Sequence, residues 1–291
     1  MPAMQSAERG PAPVGARRLG PLPDRDQISV LVGTIVLGLA LVRFIDLPVR
    51  EIGFQALGSA LGFNLTTTAT MLIVLAALAA TGTDSLLRSH PKAQVAPQAG
   101  AFALWTLPVL TVLGLELALS RLPGNELWWL GLAASGVIVA LVLAAEYISL
   151  DPEHPLYMPV QLGLTGLSYA LALALFAAIY ALKGRALVTA TLASAVAAAL
   201  ALRLLWMHTR RLGAALLYAG IIGIGLGECM WALGYGRATP LAAGLLLLLI
   251  FYLGTGLSQA ALQGGLNRRA LIEYGLVAAL GLVIVLRFVL G

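Results

Sequence analysis

The chain has 291 residues, of which 60% are hydrophobic and only 11% charged, and its mean hydropathy is +0.92. A soluble domain carries roughly 25% charged residues, so a water-soluble globule is excluded. The net charge of +5 comes without any Arg/Lys stripe interleaved with aromatics, which speaks against a nucleic-acid partner and for arginines lying beside anionic headgroups.

Residues 1–26 are rich in Pro, Gly and Arg and contain no apolar run, so they read as a disordered cytoplasmic tail. They lack the apolar core of a secretory signal, and the first apolar block is expected to remain as a helix. Residues 27–291 read as a single transmembrane helical domain. Nine apolar blocks follow one another, at 27–45, 67–87, 99–120, 127–150, 156–182, 185–206, 212–234, 240–263 and 270–290. Each is about 20 residues long, enough to cross a hydrocarbon core of roughly 30 Å. The fold class is therefore all-α, a polytopic transmembrane bundle of about nine membrane-spanning helices.

Between the first two blocks lies the longest non-helical connection, "REIGFQALGSALGFNL" (50–65). Ile52, Phe54 and Ala56 alternate before Gly58–Ser59, and Leu61, Phe63 and Leu65 alternate after it. A Gly-Ser pair suits a type II′ turn, which favours a short hairpin over an interfacial helix that Gly53, Gly58 and Gly62 would weaken. Further along, Asn64 and the threonines after it can cap the second helix, and Pro108 inside the third block is expected to kink it. Pro240 is placed to open the eighth. The sixth block, "ALVTATLASAVAAALALRLLW", is nearly all small residues and suits a central position or an oligomer contact. Trp105, Trp128, Trp129, Trp206, Trp231, Tyr147, Tyr235 and Tyr274 fall mostly near block ends, as an interfacial belt requires.

An odd number of spans puts the termini on opposite sides. Eleven of the 18 Lys and Arg residues fall on the N-terminal side and seven on the other, which favours a cytoplasmic N-terminus.

Ionisable side chains within membrane segments are candidate sites by default. Asp84 and Arg88 are spaced as an i,i+4 pair, Glu146 lies one turn from the end of its block where it can reach water, and Glu273 follows Arg269 in the first turn of the last block. Glu228 lies deeper, roughly 9 Å inside the outer end of the seventh block. It must face the bundle, stay protonated or pair, and Arg43, Arg121, Arg237, Arg287 and Glu116 are the groups at comparable depth. Glu228, Glu116 and Arg43 are thus the expected intramembrane polar site. Around it, Gly220, Gly223, Gly227 and Gly234 share one helical face suited to close helix contact, and Gly254, Ser258 and Ala261 form a similar face on the eighth block.

No catalytic residue, metal site or cofactor is expected. The only histidines, His90, His154 and His208, stand at block ends or in loops, no lysine lies mid-helix, and no phosphate-binding, zinc or nucleophile motif is present. The single cysteine, Cys229, excludes an intrachain disulfide. The segments "DLPVREIGFQALGSALGF", "ATGTDSLLRSHP", "LGECMWALGYGRATPLAAGLLLLLIFYLGTGL" and "RRALIEYG" together resemble an uncharacterised family of polytopic bacterial membrane proteins. The resemblance covers nearly all of the membrane part and implies a bacterial inner-membrane setting, without a function.

The leading expectation is a non-enzymatic scaffold or accessory subunit, homo-oligomeric or joined to other membrane subunits through small-residue faces on the sixth to eighth helices. A small-molecule or proton/ion-coupled transporter using Glu228, with Glu116, is the alternative. A lipid-modifying enzyme built on Glu146, Asp151, Glu153, His154 and His208 is the third reading.

Overall fold

The computed structural model describes residues 24–45, 50–56, 59–65, 67–91, 101–209, 211–264 and 268–290. Among them are nine α-helices: α1 (Arg25–Phe44), α2 (Thr67–Arg88), α3 (Thr106–Leu119), α4 (Glu126–Ile148), α5 (Tyr157–Ala181), α6 (Ala186–Thr209), α7 (Leu212–Gly234), α8 (Pro240–Leu262) and α9 (Arg268–Leu290). A 3₁₀ turn, Ala101–Trp105, leads into α3, and the strands β1 (Arg50–Ala56) and β2 (Ser59–Leu65) form a hairpin between α1 and α2. Eight helical segments, those of α1 to α8, are long and apolar enough to cross a membrane, and α9 adds an apolar stretch at Ile272–Val283. The protein is a multi-pass, all-α membrane bundle.

Local sequence explains where the helices start and stop. Asp24 caps α1 by accepting from the Asp26 amide at 3.0 Å, so this helix begins at Arg25, before the boundary expected at residue 27. Asn125 caps α4 through the Leu127 amide, and Thr239 caps α8 just ahead of Pro240, whose missing N–H falls where no helical bond is needed. After α8, Gly264 takes a φ of +71°, the left-handed conformation that closes a helix end without a Cβ clash. Pro108 does not kink a long helix. The third block starts as a 3₁₀ turn, and Pro108 occupies the first turn of the α-helix that follows, where its lack of an N–H has little effect. The rest of the expected N-terminal tail, residues 1–23, lies outside the described residues.

The hairpin is present, in a different register from the one expected. Ala56 pairs with Ser59, so Ser59 belongs to β2 and is not a turn residue as expected, while Leu57 and Gly58 lie outside the described residues. Ile52 is opposite Phe63 and Phe54 opposite Leu61. Each partner differs by two positions from the pairing a Gly58–Ser59 turn would give, so the alternation of each strand is preserved.

Short connections make successive helices antiparallel, and contacts between them have matched depths. Two sub-bundles result. In the first, Ile35 and Leu39 of α1, Leu75 and Ala79 of α2, Val112 and Leu119 of α3, and Trp128, Leu132, Val139 and Leu143 of α4 form one buried cluster. In the second, α5 to α8 enclose Phe176, Leu200, Leu205, Trp206, Leu226, Leu247 and Phe251, joined by Leu104 from the 3₁₀ turn. A small cluster of Leu107, Val142 and Leu164 bridges them, and α9 lies outside against α8, where Tyr274 packs on Gly256 and Leu249 on Gly281. Of the tryptophans and tyrosines expected at the membrane interfaces, Trp129, Trp231 and Tyr235 are exposed, whereas Trp128, Tyr147 and Trp206 are buried.

The tightest crossing is α6 on α7. A Cβ added at Gly223 would lie 2.8 Å from both the Ala198 Cβ and the Ser194 carbonyl oxygen, and one at Gly227 would lie 3.1 Å from the Ala190 carbonyl oxygen and the Ser194 Cβ. The Gly223/Gly227 pair therefore meets the Ala190–Ser194–Ala198 row of its own chain. Gly220 has nothing within 4 Å and Gly234 only the Ala186 Cβ at 4.0 Å, so the face expected to include four glycines uses two. On α8, Gly254 packs against Ile222 of α7 and Gly244 against Ala177 of α5. Gly223→Val is expected to force α6 and α7 apart and destabilise the protein by about 1–3 kcal/mol, and Gly220→Ala to leave stability unchanged or slightly raised. Reversible unfolding of the purified protein in mixed micelles measures both.

Candidate functional site

The embedded charged groups fall at two ends of the bundle: the end where α1 begins (the N-terminal end) and the end that carries the hairpin. At the N-terminal end, α4 and α6 finish close together. Arg203, two turns before the end of α6, donates from Nε to Glu146 Oε1 at 2.9 Å and from Nη2 to Oε2 at 2.8 Å. This is a two-pronged guanidinium–carboxylate pair, and both residues are almost wholly buried, at 2% and 0% exposure. The Ser149 hydroxyl adds a contact to Glu146 Oε2 at 3.3 Å and donates to the Glu146 carbonyl at 2.7 Å. The expectation that Glu146 reaches water is thus corrected. The last turn of α4 is covered by the 149–156 loop and α6, and Arg203 supplies the countercharge that makes burial possible.

Several other polar groups at this end make contacts along the chain or between helices. Asp151 accepts from the Glu153 amide at 3.0 Å, and His154 Nδ1 accepts from the Leu156 amide at 3.1 Å, which leaves the ring proton on Nε2. His208 Nδ1 lies 2.8 Å from the Leu204 carbonyl one turn back along α6. His90 stacks edge-on against Tyr147 with ring centroids 4.6 Å apart, which pins the end of α2 to α4. Among the described residues no three His, Cys, Asp or Glu side chains converge as metal ligands. Both Glu146 carboxylate oxygens are engaged by Arg203.

At the hairpin end, Glu116, Arg43 and Glu228 do not come together. Glu116 is buried on α3, on the same helical face as Val112 and Leu119, which pack into the first sub-bundle. Arg43 is exposed at the end of α1, its guanidinium 5.2 Å from the Trp128 ring centre and against Gly124. That stacking places a cation on the face of an aromatic ring and positions the entry to α4. Among the described residues, no ion pair joins Arg43 to Glu116, or Glu228 to any arginine.

Glu228 lies on the outward side of α7. Its exposed companions are Leu217, Ile221, Ile224, Trp231 and Tyr235, all large and four of them apolar. The reason is the adjacent glycine. Gly227 and Gly223 must face α6, and with about 100° between successive residues Glu228 is rotated away from that contact. A carboxyl group that sequence alone could place in the bundle is set on its outer surface by the crossing of α6 and α7. Asp84 and Arg88, by contrast, form the expected i,i+4 pair, with Arg88 Nε donating to Asp84 Oδ2 at 2.6 Å.

The Arg203–Glu146 pair was not anticipated as a pair. Its signal was available, since an acid and a base were embedded at the same end of the bundle, but nothing in a single sequence specifies that α4 and α6 face each other there.

Residues 47–288 match a protein family described as "Protein of unknown function (DUF5656)", and the chain belongs to that family. No curated protein and no solved structure matches it.

Removing one member of the buried pair strands the other. Arg203→Met or Glu146→Leu alone is expected to cost about 3–5 kcal/mol, whereas the two combined restore much of the loss, because neither charge remains to be solvated. The four proteins compared by equilibrium unfolding in the same detergent check this double-mutant cycle.

Proposed function

We propose that the protein is a non-enzymatic scaffold or accessory subunit of a membrane assembly, set in the bacterial inner membrane with its N-terminus in the cytoplasm. The observation that carries this proposal is Glu228 on the outward face of α7. A carboxyl group at that depth is costly against lipid tails, by roughly 2.5–3.5 kcal/mol at a helix centre and less nearer the interface. A protein neighbour that hydrogen-bonds it removes the cost, so the α7 surface is suited to contact protein. The small-residue face suited to such a contact, Gly223 and Gly227, is already occupied by α6, which moves the contact surface to the opposite side of α7.

Transport through Glu228 and Glu116 would need the two carboxyls on one water-filled path. Glu228 projects outward from the second sub-bundle and Glu116 is packed inside the first, an arrangement that favours an assembly role.

A photoreactive amino acid at Ile224, four residues from Glu228 on the same exposed face, is expected to form protein adducts in native membranes. Lipid adducts alone would overturn the proposal. The orientation is checked with single cysteines at two exposed loop positions, Arg237 and Arg211, in a Cys229→Ser background. Arg237→Cys is expected to react with a membrane-impermeant maleimide in intact spheroplasts, and Arg211→Cys only after lysis. The reverse pattern inverts the topology.

A further inference from the structure

We infer that the protein neighbour covering α7 is a second copy of this chain, related by a twofold axis that brings the two Glu228 carboxyls together. The inference rests on the assembly role proposed above and names the partner. Leu217, Ile221, Ile224, Glu228 and Trp231 are spaced by four, three, four and three residues, the alternation that keeps one helix in contact with another over about four turns. All five are exposed, so no helix among the described residues covers the seam.

Depth is the second reason. A neighbour of different sequence must happen to carry a polar group roughly 9 Å below the hairpin end, whereas a twofold copy places the same carboxyl at the same depth by symmetry. The chemistry is self-complementary when the pair retains a proton. A protonated Glu228 donates its O–H to a carboxylate or carbonyl oxygen of the other Glu228, and each carboxyl gains a partner that lipid lacks.

The surroundings fit a helix contact. Gly220 borders the seam, and a Cβ there would meet nothing within 4 Å, which leaves room for a side chain from the facing helix. Trp231 Nε1 donates to the Tyr235 hydroxyl at 3.0 Å, so the indole has its polar edge satisfied within α7 and its faces free for packing.

The test uses the full chain, purified and reconstituted in liposomes of bacterial phospholipid. With Cys229→Ser and Ile224→Cys, mild oxidation is expected to link two copies, and energy transfer between labelled copies gives the association constant on dilution with lipid. Glu228→Leu is expected to weaken association about tenfold, and Glu228→Gln, whose amide can still pair across the axis, to change it by less than about threefold. Ile221→Trp, which obstructs the seam without touching the carboxyl, is expected to weaken it as well.

A dimer indifferent to both Glu228→Leu and Ile221→Trp would overturn the twofold contact. An equal loss with Leu and Gln would overturn the shared-proton pair. A reconstituted monomer, together with a photoadduct from Ile224 to a different protein in native membranes, would overturn the second copy while leaving the assembly role standing. Lipid adducts alone in native membranes would remove both.

Discussion

The bidentate pair between Arg203 and Glu146 is the constraint on which the arrangement of the two sub-bundles depends. α1 to α4 and α5 to α8 each have their own apolar core, and direct contact between them is lighter than contact within them. Apolar packing between helices that are also surrounded by apolar lipid gives little preference for one placement over another, because the hydrophobic effect has been spent on inserting the chain. A guanidinium and a carboxylate with no exposure have no comparable freedom. Each must find the other, in one geometry, or stand uncompensated. The reach of Arg203 from α6 to α4 therefore sets the relation of the halves at the N-terminal end, and Tyr147 on His90 extends that registration to α2.

A second constraint runs through α6 and α7. Alanines and a serine on one helix and two glycines on the other bring the backbones close: a Cβ at Gly223 would collide with Ala198 and the Ser194 carbonyl, and one at Gly227 would press on Ala190 and Ser194. Van der Waals contact over this surface replaces the hydrophobic drive that water would supply. Once that face of α7 is committed, the remaining residues have determined directions. Glu228 and the large apolar side chains in its row are left outward, and the functional surface becomes a by-product of how the core is packed.

The sequence was a good guide to everything governed by contrast with water. Helix lengths followed the thickness of the bilayer, and starts such as Thr239–Pro240 followed the chemistry of unsatisfied amides. The Asp84–Arg88 pair followed from spacing along one helix. The hairpin was legible from alternation, but its register was not: Ala56 pairs with Ser59, and either register keeps the strand pattern, so only pairing distinguishes them. Trp206 and Trp128 read as interfacial from their positions near block ends, yet both are buried, since a helix end can be covered by a neighbouring helix or loop as easily as by headgroups.

The sequence by itself determined that this chain crosses a membrane many times as an all-helical bundle, where its spans lie, and which ionisable groups are embedded in it. Tertiary structure alone decided which way those groups face: Glu146 into a full pair with Arg203, Glu116 into a core, and Glu228 outward. The physical reason is that lipid and protein interior are both apolar, so a membrane helix carries no strong apolar-against-polar pattern to mark its inner side. That information resides in shape, in the glycines that permit close approach and in the few charges that require a partner, and it can be read only when the helices are assembled.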